Sequence, residues 1–91
     1  MHISFPSCTP EYCARDLLLA FPALVDGQPV QCAITAEALE DHFGARSLRE
    51  EELIAAFNSH HLEIELAAQR MLNEVGGRSI LLHSGYFRFC A

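Results

Sequence analysis

His60 and His61, with Glu63 and Glu65 just beyond them, are the residues whose types most invite a metal or acid–base reading. Neutral imidazole is the commonest transition-metal ligand, and a nearby carboxylate can add to its set. The spacing works against it. Adjacent helical residues diverge by about 100°, so the two rings cannot share one ion, and a helical pair needs a separation of three or four. His60 finds no second strong ligand on its apolar side, and His61 with Glu65 supplies only two. The cysteines Cys8, Cys13, Cys32 and Cys90 are no better placed. Four residues separate the first two, which matches neither a zinc knuckle nor a Cys-x-x-Cys redox site. Cys32 alternates with Val30 and Ile34 and reads as a core thiol, and Cys90 reads as a frayed thiol beside the C-terminus. His42 beside Glu40 and Asp41 could form an acid–base cluster, but one polar turn next to a helix end reads as surface. No Gly-x-Gly-x-x-Gly, Walker, Gly-x-Ser-x-Gly or His-Glu-x-x-His run occurs. No residue is therefore assigned as catalytic, cofactor-binding or metal-ligating, and no cofactor is expected.

Composition narrows the class. The 91 residues fit a single α+β domain, 1–91, with one core. A core that small leaves modest stability, which a second copy would raise. All six basic residues are arginine, they are scattered, and the net charge is −6. A nucleic-acid ligand is not expected from such a surface. The acidic runs Glu37, Glu40, Asp41 and Glu50–Glu52 read as solvated helix starts favoured by the helix dipole. The N-terminus has no basic, apolar leader, and no segment approaches the ~18 apolar residues of a membrane span. A cytoplasmic protein with reduced thiols and no membrane association is expected.

Ile3-Ser4-Phe5 alternates and stops at Pro6, as a short edge strand does, and a loop follows from Ser7 to Tyr12. Leu17 to Val25 reads as a strand with Pro22 at an edge or bulge, and Asp26-Gly27 as a hairpin turn onto the strand Pro29–Ile34. Thr35 caps a short helix that Gly44 closes. Ser47 and Glu50 make a capping box for a second helix that runs to Gly76-Gly77. Leu53, Phe57, His60, Ile64, Ala67, Met71 and Val75 recur along it at spacings of four, three, four, three, four and four, one apolar stripe. Ser79 to His83 reads as a last strand, Gly85 as a turn, and Tyr86, Phe87 and Phe89 as an aromatic tail on the sheet. The expected fold is a small antiparallel sheet of three to four strands with one short and one long helix packed on one face.

On a continuous helix Leu62 and Leu66 fall opposite that stripe, among Asn58, Gln69 and Asn73. They read as a contact patch, as plain exposed leucines, or as residues turned inward by a break near Asn58-Ser59 with Ser59 as a cap.

Ile3-x-Phe5-Pro6, Phe21-Pro22-Ala23-Leu24-Val25-Asp26-Gly27 and the run from Cys32 to Phe43, with Phe57-x-x-His60-x-x-x-Ile64-Glu65-x-x-Ala68, together resemble a family of small bacterial proteins catalogued as domain of unknown function 1488. The resemblance covers most of the chain and rests on turns, caps and core positions. It implies a compact α+β bacterial protein with no assigned activity and carries over no catalytic residue. The leading expectation is a non-enzymatic interaction or regulatory module whose partner is an unknown protein or a second copy. The alternative is a small enzyme or metal-binding protein using His42, His60 or His61 and a cysteine.

Overall fold

Asp26 and Gly27 turn the chain back on itself with φ of 52° and 82°, the two left-handed residues that a type I′ hairpin needs. In the computed structural model, which describes residues 1–88, the elements run β1 (Ile3–Ser4), β2 (Glu11–Cys13), β3 (Leu18–Val25), β4 (Gln28–Thr35), α1 (Ala36–Phe43), α2 (Glu50–Ser59), α3 (His61–Glu74), β5 (Ile80–Leu82) and α4 (Ser84–Arg88). The architecture is α+β, with all the strands in one sheet ordered β1-β3-β4-β5 and β2 lying along the same edge of β3 as β1. Phe89 and Cys90, read above as part of an aromatic tail and as a frayed thiol, lie outside the described residues.

Register explains where the prolines are tolerated. The Asp26 N–H donates to the His2 carbonyl and the Ala36 N–H to the Leu17 carbonyl, each at 2.8 Å. Peptide groups alternate sides along a strand, so even residues of β3 face β1 and β2 while odd residues face β4. Pro22 is even, and it faces the gap between Ser4, paired with Leu24, and Glu11, paired with Ala20. By the same count, odd residues of β4 face β5. Pro29 is odd and precedes Cys32, where pairing with β5 begins at Ile80. Each missing N–H thus points at an open stretch of edge, where it costs no ladder bond and discourages strand addition.

One face of this sheet carries the core. Leu19 lies opposite Ile34 and Phe21 opposite Cys32, with Ile80 and Leu82 next in line. These side chains are buried with Leu39 and Phe43 of α1, Leu53 and Phe57 of α2, and Ile64 and Leu72 of α3. α1 has the expected caps: Thr35 Oγ1 accepts from the Ala38 N–H at 3.1 Å, and Gly44 closes it at φ 74°.

Several expectations change. β5 pairs parallel to β4, making the sheet mixed where an antiparallel one was expected. The three helices between the two strands supply the long crossover that a parallel pair requires. Glu11 and Tyr12, read as the end of a loop, are held with Cys13 as a strand by pairing with Leu18–Ala20. The capping box does not form: Ser47 Oγ accepts from the Arg49 N–H at 3.3 Å, and α2 begins at Glu50 with no side-chain cap. That start places Glu50, Glu51 and Glu52 in the first turn, where the helix dipole favours carboxylates. Gly85 lies inside α4, which packs with its aromatics on α1 instead of on the sheet.

The long helix is two helices. It breaks at His60, whose backbone sits at φ −123° and ψ 23°, and whose N–H is shared between the Ala56 and Phe57 carbonyls. Past the break the buried line moves from Met71 and Val75 to Ala68 and Leu72. Val75 is 37% exposed, while Leu72 is fully buried.

Candidate functional site

The paired histidines sit at this break and serve its geometry. His61 Nδ1 lies 3.0 Å from the Asn58 carbonyl, which can only accept, so the ring carries its proton on Nδ1 and satisfies an orphan carbonyl at the end of α2. His60 Nδ1 lies 3.2 Å from Glu63 Oε1, and its ring rests 5.5 Å from that of Phe43. Each imidazole has a local partner at the joint, and the two do not converge on a common point. Ser59, considered as the cap of the second segment, is the last residue of α2 and not the N-cap of α3, which is His60.

His42 is drawn into a cluster that sequence reading missed. Ser84 Oγ donates to Asp41 Oδ2 at 2.6 Å, and His42 Nε2 lies 3.0 Å from the Ser84 carbonyl and 3.3 Å from Ser84 Oγ. A serine, a histidine and an aspartate together suggest a nucleophile. The bonding excludes it in this arrangement. A carbonyl cannot donate, so Nε2 carries the hydrogen and cannot take the serine proton, and that proton is already directed to Asp41. Ser84 is also only 6% exposed. The trio is a latch holding the start of α4 to the end of α1. In sequence, the one mark of Ser84 is a hydroxyl residue ahead of Tyr86 and Phe87, at a place where a helix can start.

Among the described residues, no group of three His, Cys, Asp or Glu side chains is arranged to hold a metal ion. Cys8 is exposed, Cys13 Sγ donates to Asp16 Oδ2 at 3.5 Å, and Cys32 is fully buried. Burial pushes the Cys32 thiol up from its usual value of 9.0 to about 11. The folded chain therefore holds this proton more tightly than the unfolded one. That contribution is complete below pH 9 and is lost as pH rises from 9 towards 11. At pH 8 iodoacetamide is expected to label Cys8 quickly and leave Cys32 intact until the chain unfolds, as peptide mapping by mass spectrometry will report. Denaturation at pH 8 and pH 10 should show a steeper loss for the native chain than for Cys32→Ala.

Among the described residues, hollows lie at two places of note on the surface. One, of about 430 Å³, lies where β1 and β2 part, between Thr9 and Glu11 on one side and Ala20, Pro22, Pro29 and Val30 on the other. A second, of about 380 Å³, is bounded by Phe43, Arg46, Glu52, Ala56 and His60 beside the break. Leu62 and Leu66 lie elsewhere, on the outward side of α3, at 68% and 59% exposure. The break does not turn them inward.

No helix among the described residues is long and apolar enough to cross a membrane. The chain is similar to the uncharacterised protein YrdB of Escherichia coli K12, with 32% identity over 72 residues that cover 79% of this chain and 81% of the relative. The uncharacterised YrdB of Shigella flexneri matches over the same span at the same identity. No solved structure matches. A family model described as protein of unknown function (DUF1488) matches residues 3–82, from β1 to the end of β5, and the chain belongs to that family.

Proposed function

We propose that this protein is a non-enzymatic interaction module that pairs with a second copy of itself through the outward face of α3. The observation that carries this reading is the exposure of Leu62 and Leu66, one turn apart, opposite Ile64, Ala68 and Leu72, which face the core. Two large apolar side chains held together in water favour burial against a partner, at about 1.5–3 kcal/mol for each one fully covered. The flanking charges favour a second copy. Glu63 and Arg70 are seven residues apart and lie on one side of α3, so two antiparallel helices crossing near Leu66 bring each Glu63 towards the other Arg70. The histidines support the reading indirectly, because His42, His60 and His61 are all bonded within the fold.

Sedimentation equilibrium tests the proposal. The native chain should associate, and a Leu62→Asp, Leu66→Asp variant should weaken that association by about 100-fold or more while keeping its circular dichroism. A native chain that stays monomeric at high concentration, or a variant of unchanged mass, defeats the proposal.

A further inference from the structure

The even-numbered residues of β3 stand on the side of the sheet away from the core. Leu18, Ala20, Pro22 and Leu24 line up there, each half-buried, with Ala33 of β4 opposite Ala20 and Leu81 of β5 beside Ala33. None of these six belongs to the core cluster. No helix among the described residues covers them, since α1, α2 and α3 pack on the core side and α4 packs on α1. A sheet with one face in water alternates apolar and polar residues along its strands. β3 is instead apolar at every position from Leu18 to Val25, the pattern of a strand covered on both sides.

Size, charge and shape together select the cover. Eight residues along β3 and β4, and four strand widths across, make the face about 26 Å by about 19 Å. That is ~500 Å² on each copy and ~1,000 Å² for a pair, the area at which specific interfaces begin. Among the described strand residues of this face Glu11, on the β2 edge, is the one charged side chain, in a chain of net charge −6. A nucleic acid or an anionic lipid surface would meet no cation on these strands. A second copy fits. A two-fold axis along the strands sets the two Glu11 carboxylates on opposite edges, and it carries Leu81 of each copy over the β1–β2 edge of the other. The hollow of about 430 Å³ beside Pro22 opens at that edge. We infer that this bare sheet face is a second contact between copies of the chain, in which the sheets stack about 10 Å apart and Leu81 of each enters the hollow of the other. The helix layer separates this face from Leu62 and Leu66, so the contact neither needs nor competes with pairing through α3. A chain that uses both forms assemblies larger than a dimer.

The full chain carrying Leu62→Asp and Leu66→Asp isolates the contact. In sedimentation equilibrium it should still form dimers at about 1 mM, and adding Leu24→Arg and Leu81→Arg should weaken them at least about tenfold with unchanged circular dichroism. A Leu62→Asp, Leu66→Asp chain that stays monomeric at that concentration, or arginines that leave its association unchanged, overturns the inference. If a variant does not fold, the native chain decides, in a sample mixing isotope-labelled and unlabelled copies. Intermolecular nuclear Overhauser effects from the Leu81 methyls to Thr9 or Pro22 support the contact, and their absence overturns it. Effects confined to Leu62 and Leu66 overturn it and leave pairing through α3 standing; effects at Leu81 alone support it and defeat that pairing.

Discussion

Phe57→Ala is expected to destabilise the fold by about 3–5 kcal/mol, enough to leave a domain of this size close to unfolded at physiological temperature. Phe57 ends the buried line of α2 just before the break, is 5% exposed, and lies with its ring 5.1 Å from that of Phe21 on β3. Phe21 in turn meets Phe5, 6.3 Å away, from the segment after β1. Truncating Phe57 removes the ring that joins helix layer to sheet and leaves a void that neither neighbour can fill without moving. Urea denaturation should show a large fall in midpoint with little change in slope. A loss below about 1 kcal/mol would mean that the helix layer does not rest on this contact.

Gly77→Ala is expected to cost about 2–4 kcal/mol, whereas Gly76→Ala next to it should cost only about 1–2. Both glycines have positive φ, 71° at Gly76 and 84° at Gly77, so each alanine bears the same kind of backbone strain. They differ in what the new methyl meets. A Cβ on Gly76 would point into open space, while one on Gly77 would lie 3.0 Å from Val25 Cγ1 at the end of β3. Gly77 also donates its N–H to the Leu72 carbonyl at 2.8 Å, the long return bond that closes α3 and directs the chain into β5. Moving away from Val25 would strain that bond. Thermal denaturation of both single variants, and of Gly77→Ala with Val25→Ala, separates the two contributions. Equal losses at the two glycines would show that the contact with Val25 carries no weight.

The break at His60 shows how a local pattern misleads. Counting along one continuous helix placed Met71 and Val75 on the core line, and Leu53 and Phe57 do lie on it. Beyond the joint, Leu72 is buried and Val75 is 37% exposed. Nothing in the residues at the joint forces this, since there is neither glycine nor proline there. The break is sustained by contacts with other parts of the chain, among them that of the His60 ring with the tilted ring of Phe43 of α1, 5.5 Å away. His42 tells a similar story. Its neighbours in sequence suggested a surface cluster, yet its bonding partner Ser84 is forty-two positions away.

The hairpin at Asp26-Gly27, the Thr35 cap, the Gly44 stop and the paired glycines after α3 were all legible from the residues, because each depends on the backbone preferences of a few consecutive positions. So was the α+β class, because the alternation of Val30, Cys32 and Ile34 in β4 and the helical recurrence after Arg49 are short-range periodicities. The parallel entry of β5, the pairing of β2, the joint at His60 and the seat of α4 were set by encounters between segments far apart in the chain. Their energies come from burial and hydrogen bonds that exist only once the sheet and helices have packed. The outward placement of Leu62 and Leu66 belongs to both. Helical spacing put them opposite the core, and only the packed fold determined that the break in the helix would leave them there.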